Sequence, residues 1–200
     1  MTSRDRVIKT LNHEPVDLVP RDLWTLPGIE MMRSDELGEL NFRYPSDIVK
    51  PDFRYPHGHR AQGTPHEVGR YTDAWGCVWQ VAERGVIGEV KAPPLADLAQ
   101  LDGYRPPFEL IEGAAMARVD RGCASTSRFV LAWTETRPFE RLQFLHGTEA
   151  TFIDLAYGTG QIRSLLAMIH EFFCRELQMW AASDVDGTLT TRGRLQATTL

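Results

Sequence analysis

Two carboxylates one residue apart, Asp184 and Asp186 in SDVDGTLTTRG, are the first groups here whose types and spacing could do chemistry. In an Asp-x-Asp-Gly-Thr string at the end of a buried strand, the first carboxylate attacks phosphorus. The second carries the leaving-group proton, and Mg²⁺ lies between them. That chemistry needs Asp184 at the carboxyl end of a central strand, followed by segments that supply a Ser or Thr, a Lys and further acidic ligands. The residues before it, ELQMWAAS, continue a helix, and only 14 residues follow Asp186. The preferred reading of the pair is a turn from a helix into a strand.

Other groups invite chemistry with a plainer reading beside each. His57, His59 and His66 alternate in HGHRAQGTPHE, with Glu67 next to them, a set that can bind a transition metal; a solvated or substrate-facing loop is preferred. Cys77 in WGCVW is read as a small buried hydrophobe before a thiolate nucleophile, and Cys123 and Cys174 are weaker candidates. Arg137 and Arg141 stand four apart on one helix face and could grip a carboxylate or phosphate; a salt-bridge face with Glu140 or Glu135 explains them equally well. Asp22 and Asp47 are acidic groups near predicted strand ends or loops. Asp73 in YTDAWG is read as a structural turn residue before a cleft-facing one. No Ser-His-Asp order, phosphate-binding Gly-rich loop or dinucleotide fingerprint is present.

The elements that must position these groups follow from the pattern of the chain. Thr2 and Asp5 have capping-box spacing before Val7, Ile8 and Leu11, which predicts a helix over 3–12. Pro15, Pro20 and Pro27 exclude a long helix after it, and a short strand is predicted over Leu18–Leu23. The stretch 44–107 is dense in Pro, Gly and aromatics. Its first half reads as loop, YTDAWGCVWQVAERGVIGEV as a hairpin turning at Gly85, and Leu95–Leu101 as a short helical segment. RFVLAW fits a buried parallel strand. RPFERLQFLHG is a helix with Pro138 in its first turn and Gly147 at its end, and TEATFIDLA is a helix capped by Thr148. Gln161–Ala182 keeps a broad apolar face over about six turns, and DVDGTLT returns to strand. Strand, helices, long helix and strand form the alternation of a parallel α/β fold.

Composition narrows the function classes. The chain of 200 residues is 42% hydrophobic and 24% charged, enough for one folded domain or part of a larger one. A net charge of −5 carries no footprint for nucleic acid or an anionic membrane. No apolar run approaches a membrane span and no secretory signal is seen. Three widely spaced cysteines predict a reduced, cytoplasmic chain.

Taken in order, the segments resemble the uroporphyrinogen decarboxylase superfamily, in its divergent decarboxylase-like branch. The resemblance is carried by SRDRVIKTLNHEPVDLVPRDLW, YTDAWGCVWQ, GVIGEVKAPPLADLAQLDGYRPP, RPFERLQFLHGTEATFIDLA and the long helix running into MWAASDVDG. It implies an α/β fold, the incomplete N-terminal half of a (β/α)₈ TIM barrel, with the cleft at the carboxyl ends of the strands. It divides the chain into a decarboxylase-like region, 1–187, and a divergent tail, 188–200.

The activity implied is that of a lyase removing carboxylates from a tetrapyrrole without a cofactor, or else corrinoid-linked methyl transfer. Zinc belongs only to full-length relatives of the methyl-transfer kind. The expected site is Asp47 and Asp22 for catalysis and Arg137, Arg141 and Trp24 for substrate binding, with no metal ligand in this chain. Thr25 and Ile29 stand where two carboxylate-binding arginines of the true decarboxylases fall, and neither Asp47 nor Asp52 matches the local pattern of their catalytic aspartate. A half-barrel leaves an edge strand unpaired, so self-association through that edge, and no catalysis by the chain alone, are expected. Thr190 and Thr191 replace an acidic pair of the family, as a frameshift followed by early termination would produce. The alternatives are a haloacid-dehalogenase-type Mg²⁺-dependent phosphohydrolase using Asp184 and Asp186, and a non-catalytic barrel fragment serving as an assembly module.

Overall fold

A computed structural model describes residues 1–190 and 194–197. The helices, in chain order, are α1 (Ser3–Leu11), α2 (Pro27–Met32), α3 (Ser34–Arg43), α4 (Glu109–Glu112), α5 (Met116–Ala124), α6 (Pro138–His146), α7 (Thr148–Tyr157) and α8 (Gly160–Ala181). The strands are β1 (Ile48–Val49), β2 (Gly69–Thr72), β3 (Val78–Val81), β4 (Glu89–Ala92), β5 (Phe129–Trp133), β6 (Gly187–Thr190) and β7 (Arg194–Ala197). The fold is mixed α/β with one four-stranded and one three-stranded sheet, and no closed barrel forms among the described residues. The chain divides into two compact units: Met1–Arg54 with Ala115–Glu135 and Gln178–Leu200, and Tyr55–Ala114 with Thr136–Leu177.

In the first unit the sheet order is β1-β5-β6-β7. β1 pairs parallel with β5 through Ile48 and Phe129, and β5 pairs parallel with β6 through Leu131 and Gly187. The unbroken apolar run of β5 reflects cover on both faces. Val130 and Ala132 pack with Val119, Cys123, Trp180 and Val185, while Phe129 and Leu131 pack with Val7 and Leu189. α1 carries that second cluster because Thr2 and Asp5 form the expected capping box and Val7 is buried. Arg4 ties the helix down by ion-pairing Asp186 at 3.0 Å and donating to the Cys123 carbonyl.

β7 lies antiparallel on β6 in the register Gly187 to Ala197. The edge expected to stay open after β6 is therefore occupied by the chain's own tail. Thr191 and residues 198–200 lie outside the described residues, and so does the part of the frameshift reading that falls on them.

The predicted strand over Leu18–Leu23 is not formed. This stretch bonds the sheet through the Asp47 N–H to the Arg21 carbonyl at 2.8 Å, and Pro20 has no N–H to donate to a ladder. β1 lies inside the stretch 44–69 read as loop, because a two-residue strand carries no periodicity. The helices α2, α3, α4 and α5 are likewise not foreseen from the sequence.

In the second unit β2, β3 and β4 form an antiparallel sheet. The single predicted hairpin is two, because DAWG turns the chain between β2 and β3. Asp73 makes that turn by accepting the Cys77 N–H at 2.9 Å, with Gly76 at φ +84°, a conformation open to glycine at little cost. The core gathers Trp75, Cys77 and Trp79 with Leu142, Leu145, Ile162, Ile169 and Phe172 from α6 and α8. Leu98–Gly103 is a 3₁₀ segment capped by Asp97. α7 starts after Gly147, so Thr148 is its first residue and not its cap.

Candidate functional site

The parallel strands of the first unit end at an open cavity of about 140 Å³. α1 covers one face of the sheet at its amino end, where Val7 packs with Phe129 and Leu131. At the carboxyl end the same face is left to Lys50, Trp133 and Leu189, and the wall is completed by Asp22 and Trp24 from the segment before α2.

This wall is held by a short chain of hydrogen bonds. The Trp24 indole N–H donates to Asp22 Oδ2 at 2.6 Å. The other Asp22 oxygen accepts the Leu23 N–H at 3.0 Å and the Ser46 hydroxyl at 3.2 Å. Ser46 in turn accepts the Ile48 N–H at 3.2 Å, which joins the wall to β1. The Trp24 and Trp133 rings meet edge to face, with centroids 5.4 Å apart, a favourable quadrupole arrangement. Lys50 Nζ stands 4.5 Å from the centre of the Trp133 ring, within cation–π range. Trp24 is 59% exposed and Trp133 37%, so this aromatic surface faces solvent. Among the described residues Lys50 has no carboxylate partner, and Asp22 and Lys50 are the charged groups of the lining.

Of the residues expected from sequence, Asp22 and Trp24 belong to this cavity. Asp47 does not line it. Its side chain accepts the Ser3 hydroxyl at 2.7 Å, the Arg21 N–H at 2.8 Å and a very short bond from Arg6. Burial would raise the Asp47 carboxyl, but these donors together hold it below the ordinary carboxylate range. Asp47 is thus the clamp that binds α1 and the extended segment to the start of β1. Asp52 is exposed and pairs with Arg118.

Arg137 and Arg141 belong to the second unit and do not form a two-pronged grip. Arg137 precedes α6 and pairs with Glu140 at 3.3 Å. Arg141 is buried, ion-paired with Asp73 at 3.2 Å and stacked 4.7 Å from the centre of the Trp75 ring. Asp73 also accepts the Trp79 indole N–H at 3.0 Å, as suits a structural turn residue.

The phosphatase geometry is not met. Asp184 and Asp186 precede β6 and so lie at its amino end. Asp186 is held by Arg4 and accepts the Val130 N–H at 2.7 Å, while the Asp184 N–H donates to Asp120. The loop histidines separate: His57 bonds the Ala61 carbonyl, His66 the Val86 carbonyl, and His59 approaches Glu109. No three His, Cys, Asp or Glu side chains among the described residues converge on a metal position. Cys77 and Cys123 are buried, and burial pushes both thiols up. Cys174 is half-buried, with its sulfur 3.5 Å from His170 Nε2 on the same helix.

Lys50, Trp133 and Ser46 were missed by sequence reasoning. Trp133 carried a usable signal, since it ends the apolar run of a parallel strand, where sites of α/β folds collect. Lys50 carried none, because it follows a strand too short to detect. No helix among the described residues is long and apolar enough to cross a membrane. In comparisons with known proteins, no family model, no curated protein and no solved structure matches the chain.

Proposed function

We propose that this chain is the amino-terminal part of a uroporphyrinogen-decarboxylase-like protein, and that its cavity is one side of a carboxylate-recognising cleft. The observation that carries the reading is the strand order. Three parallel strands lie side by side in the order in which the chain reaches them, with the cavity at their carboxyl ends. Barrels are wound this way, whereas a doubly wound sheet reverses its order and puts its site at the reversal. The ordered series of sequence segments supports the same family.

In this reading Lys50 receives a substrate carboxylate in a wall where Thr25 and Ile29 replace the arginines of the true decarboxylases. Trp24 and Trp133 pack on the group that carries it, and Asp22 holds Trp24 in place. The chemistry of the complete cleft is decarboxylation of a carboxylated tetrapyrrole or corrinoid-linked methyl transfer.

The test is a fluorescence titration with uroporphyrin, which bears eight carboxylates, against its octamethyl ester. The acid is expected to quench tryptophan emission saturably and the ester to bind more weakly, by up to roughly fivefold, the upper value of an exposed ion pair. Acid and ester binding alike would contradict the reading.

A further inference from the structure

The stretch between the cavity wall and β1 is pinned at both roots and held by little between them. At the roots, the Ser46 hydroxyl reaches Asp22 Oδ1 at 3.2 Å and the Arg21 carbonyl at 3.0 Å, and the Asp47 N–H donates to that carbonyl at 2.8 Å. Between them run α2 and α3, neither of which buries a residue. Their polar side-chain bonds are local: Thr25 donates to Glu30 at 2.7 Å, and Arg33 pairs with Glu36. Among the described residues, no hydrogen bond or ion pair ties 25–44 to the rest of the chain. Helices of six and ten residues are marginal alone in water, where about 12–15 are needed. Gly38 weakens α3 further. A Cβ there would meet nothing within 4 Å, yet glycine forms helix roughly fivefold less readily than alanine. On this weak hairpin Leu26, Ile29, Met32, Leu40, Phe42 and Tyr44 are exposed, Phe42 at 90%.

The cavity identifies what these side chains can cover. Thr25 and Ser46, at the two roots, line it, and so does Asn41 of α3. A flat macrocycle seated on Trp24 and Trp133 leaves its outer face to water, and the hairpin at the rim carries the apolar surface that would exclude that water. We infer that 26–44 is a lid, loosely formed in the free chain, that orders and closes over a ligand in the cavity. Leu26 and Tyr44 each precede a proline, which bars them from the helical conformation and places the hinges there. The inference rests on the reading of the cavity as the ligand's seat, and it adds a closing step. The measured affinity then scales with the fraction of chains whose lid is already ordered.

The experiment follows amide hydrogen exchange in the full chain, free and with saturating uroporphyrin, for the wild type, Gly38→Ala and Gly38→Pro. Neither variant touches a buried group, and circular dichroism checks that both fold. In the free chain the amides of α2 and α3 are expected to exchange far faster than those of β5, and uroporphyrin should slow them at least roughly tenfold. Gly38→Ala should slow them without ligand and tighten binding by up to about fivefold. Gly38→Pro should abolish the added protection and weaken binding. Free-chain protection of α2 and α3 equal to that of β5, or wild-type binding in Gly38→Pro, would overturn the lid. If uroporphyrin quenches tryptophan saturably while α2 and α3 exchange as before, the lid falls and the cleft reading stands. If the acid and its octamethyl ester bind alike and both protect the hairpin, the carboxylate reading falls and the lid stands. If neither binds saturably, both fall.

Discussion

Replacing Asp47 by Asn separates a structural clamp from a catalytic carboxylate. The residue is 5% exposed. It accepts from Ser3 and Arg21 at 2.7 and 2.8 Å and from Arg6, while its own N–H donates to Arg21. Asparagine preserves the shape and one acceptor but presents an amide where Arg6 or Ser3 needs an acceptor. Removing one partner of a buried ion pair costs about 3–5 kcal/mol. Arg6 keeps Asp17, bonded at 2.7 and 3.0 Å, so we expect a loss of about 2–3 kcal/mol, at the charge-assisted hydrogen-bond scale. For a chain of this size that is a fall in Tm of about 4–12 °C, measured by circular dichroism.

The pH profile carries the same signature. Arg6 brings Asp17 down to about 2, and Asp47 is also depressed. Groups whose folded values are lowered stabilise the fold above the unfolded carboxylate range. That contribution disappears as pH falls, here from about pH 4 towards pH 2. Asp47→Asn should flatten this acid limb. A variant with wild-type stability but lost ligand binding would refute the reasoning and return Asp47 to the cleft.

In the second unit, Asp73→Asn should cost about 2–3 kcal/mol, because Arg141, Cys77 and Trp79 all converge on that carboxylate. Urea unfolding followed by tryptophan emission checks this, and a change below about 0.5 kcal/mol would contradict it. Of the three cysteines, only half-buried Cys174 should react with a thiol reagent in the native chain, while all three should react in denaturant. Native reaction of Cys77 or Cys123 would show that its core opens.

What could be read from sequence was what long periodic or capped segments encode. Thr2 and Asp5 gave the start of α1, RFVLAW gave β5, Pro138 and Gly147 bracketed α6, and the apolar face of Gln161–Ala182 gave α8. The Pro-rich stretch hid β1, because two residues hold no pattern and their strand is made by pairing with β5. The Asp73 turn that splits the predicted hairpin depends on Arg141, 68 residues away, a distance no local rule spans. Site residues followed the same division. Asp22 and Trp24 lie in a segment the resemblance marked. Lys50 acquires its place only through Trp133, and Arg141 looked available until the fold buried it.

The location of the cleft is tested most directly by the indole N–H resonances of the five tryptophans in a two-dimensional ¹⁵N spectrum. With uroporphyrin added, assigned by Trp→Phe variants, the signals of Trp24 and Trp133 should shift saturably while those of Trp75, Trp79 and Trp180 stay in place. Shifts confined to Trp75, Trp79 or Trp180, or no saturable shift at all, would contradict a carboxylate-recognising cleft at the carboxyl ends of β1, β5 and β6.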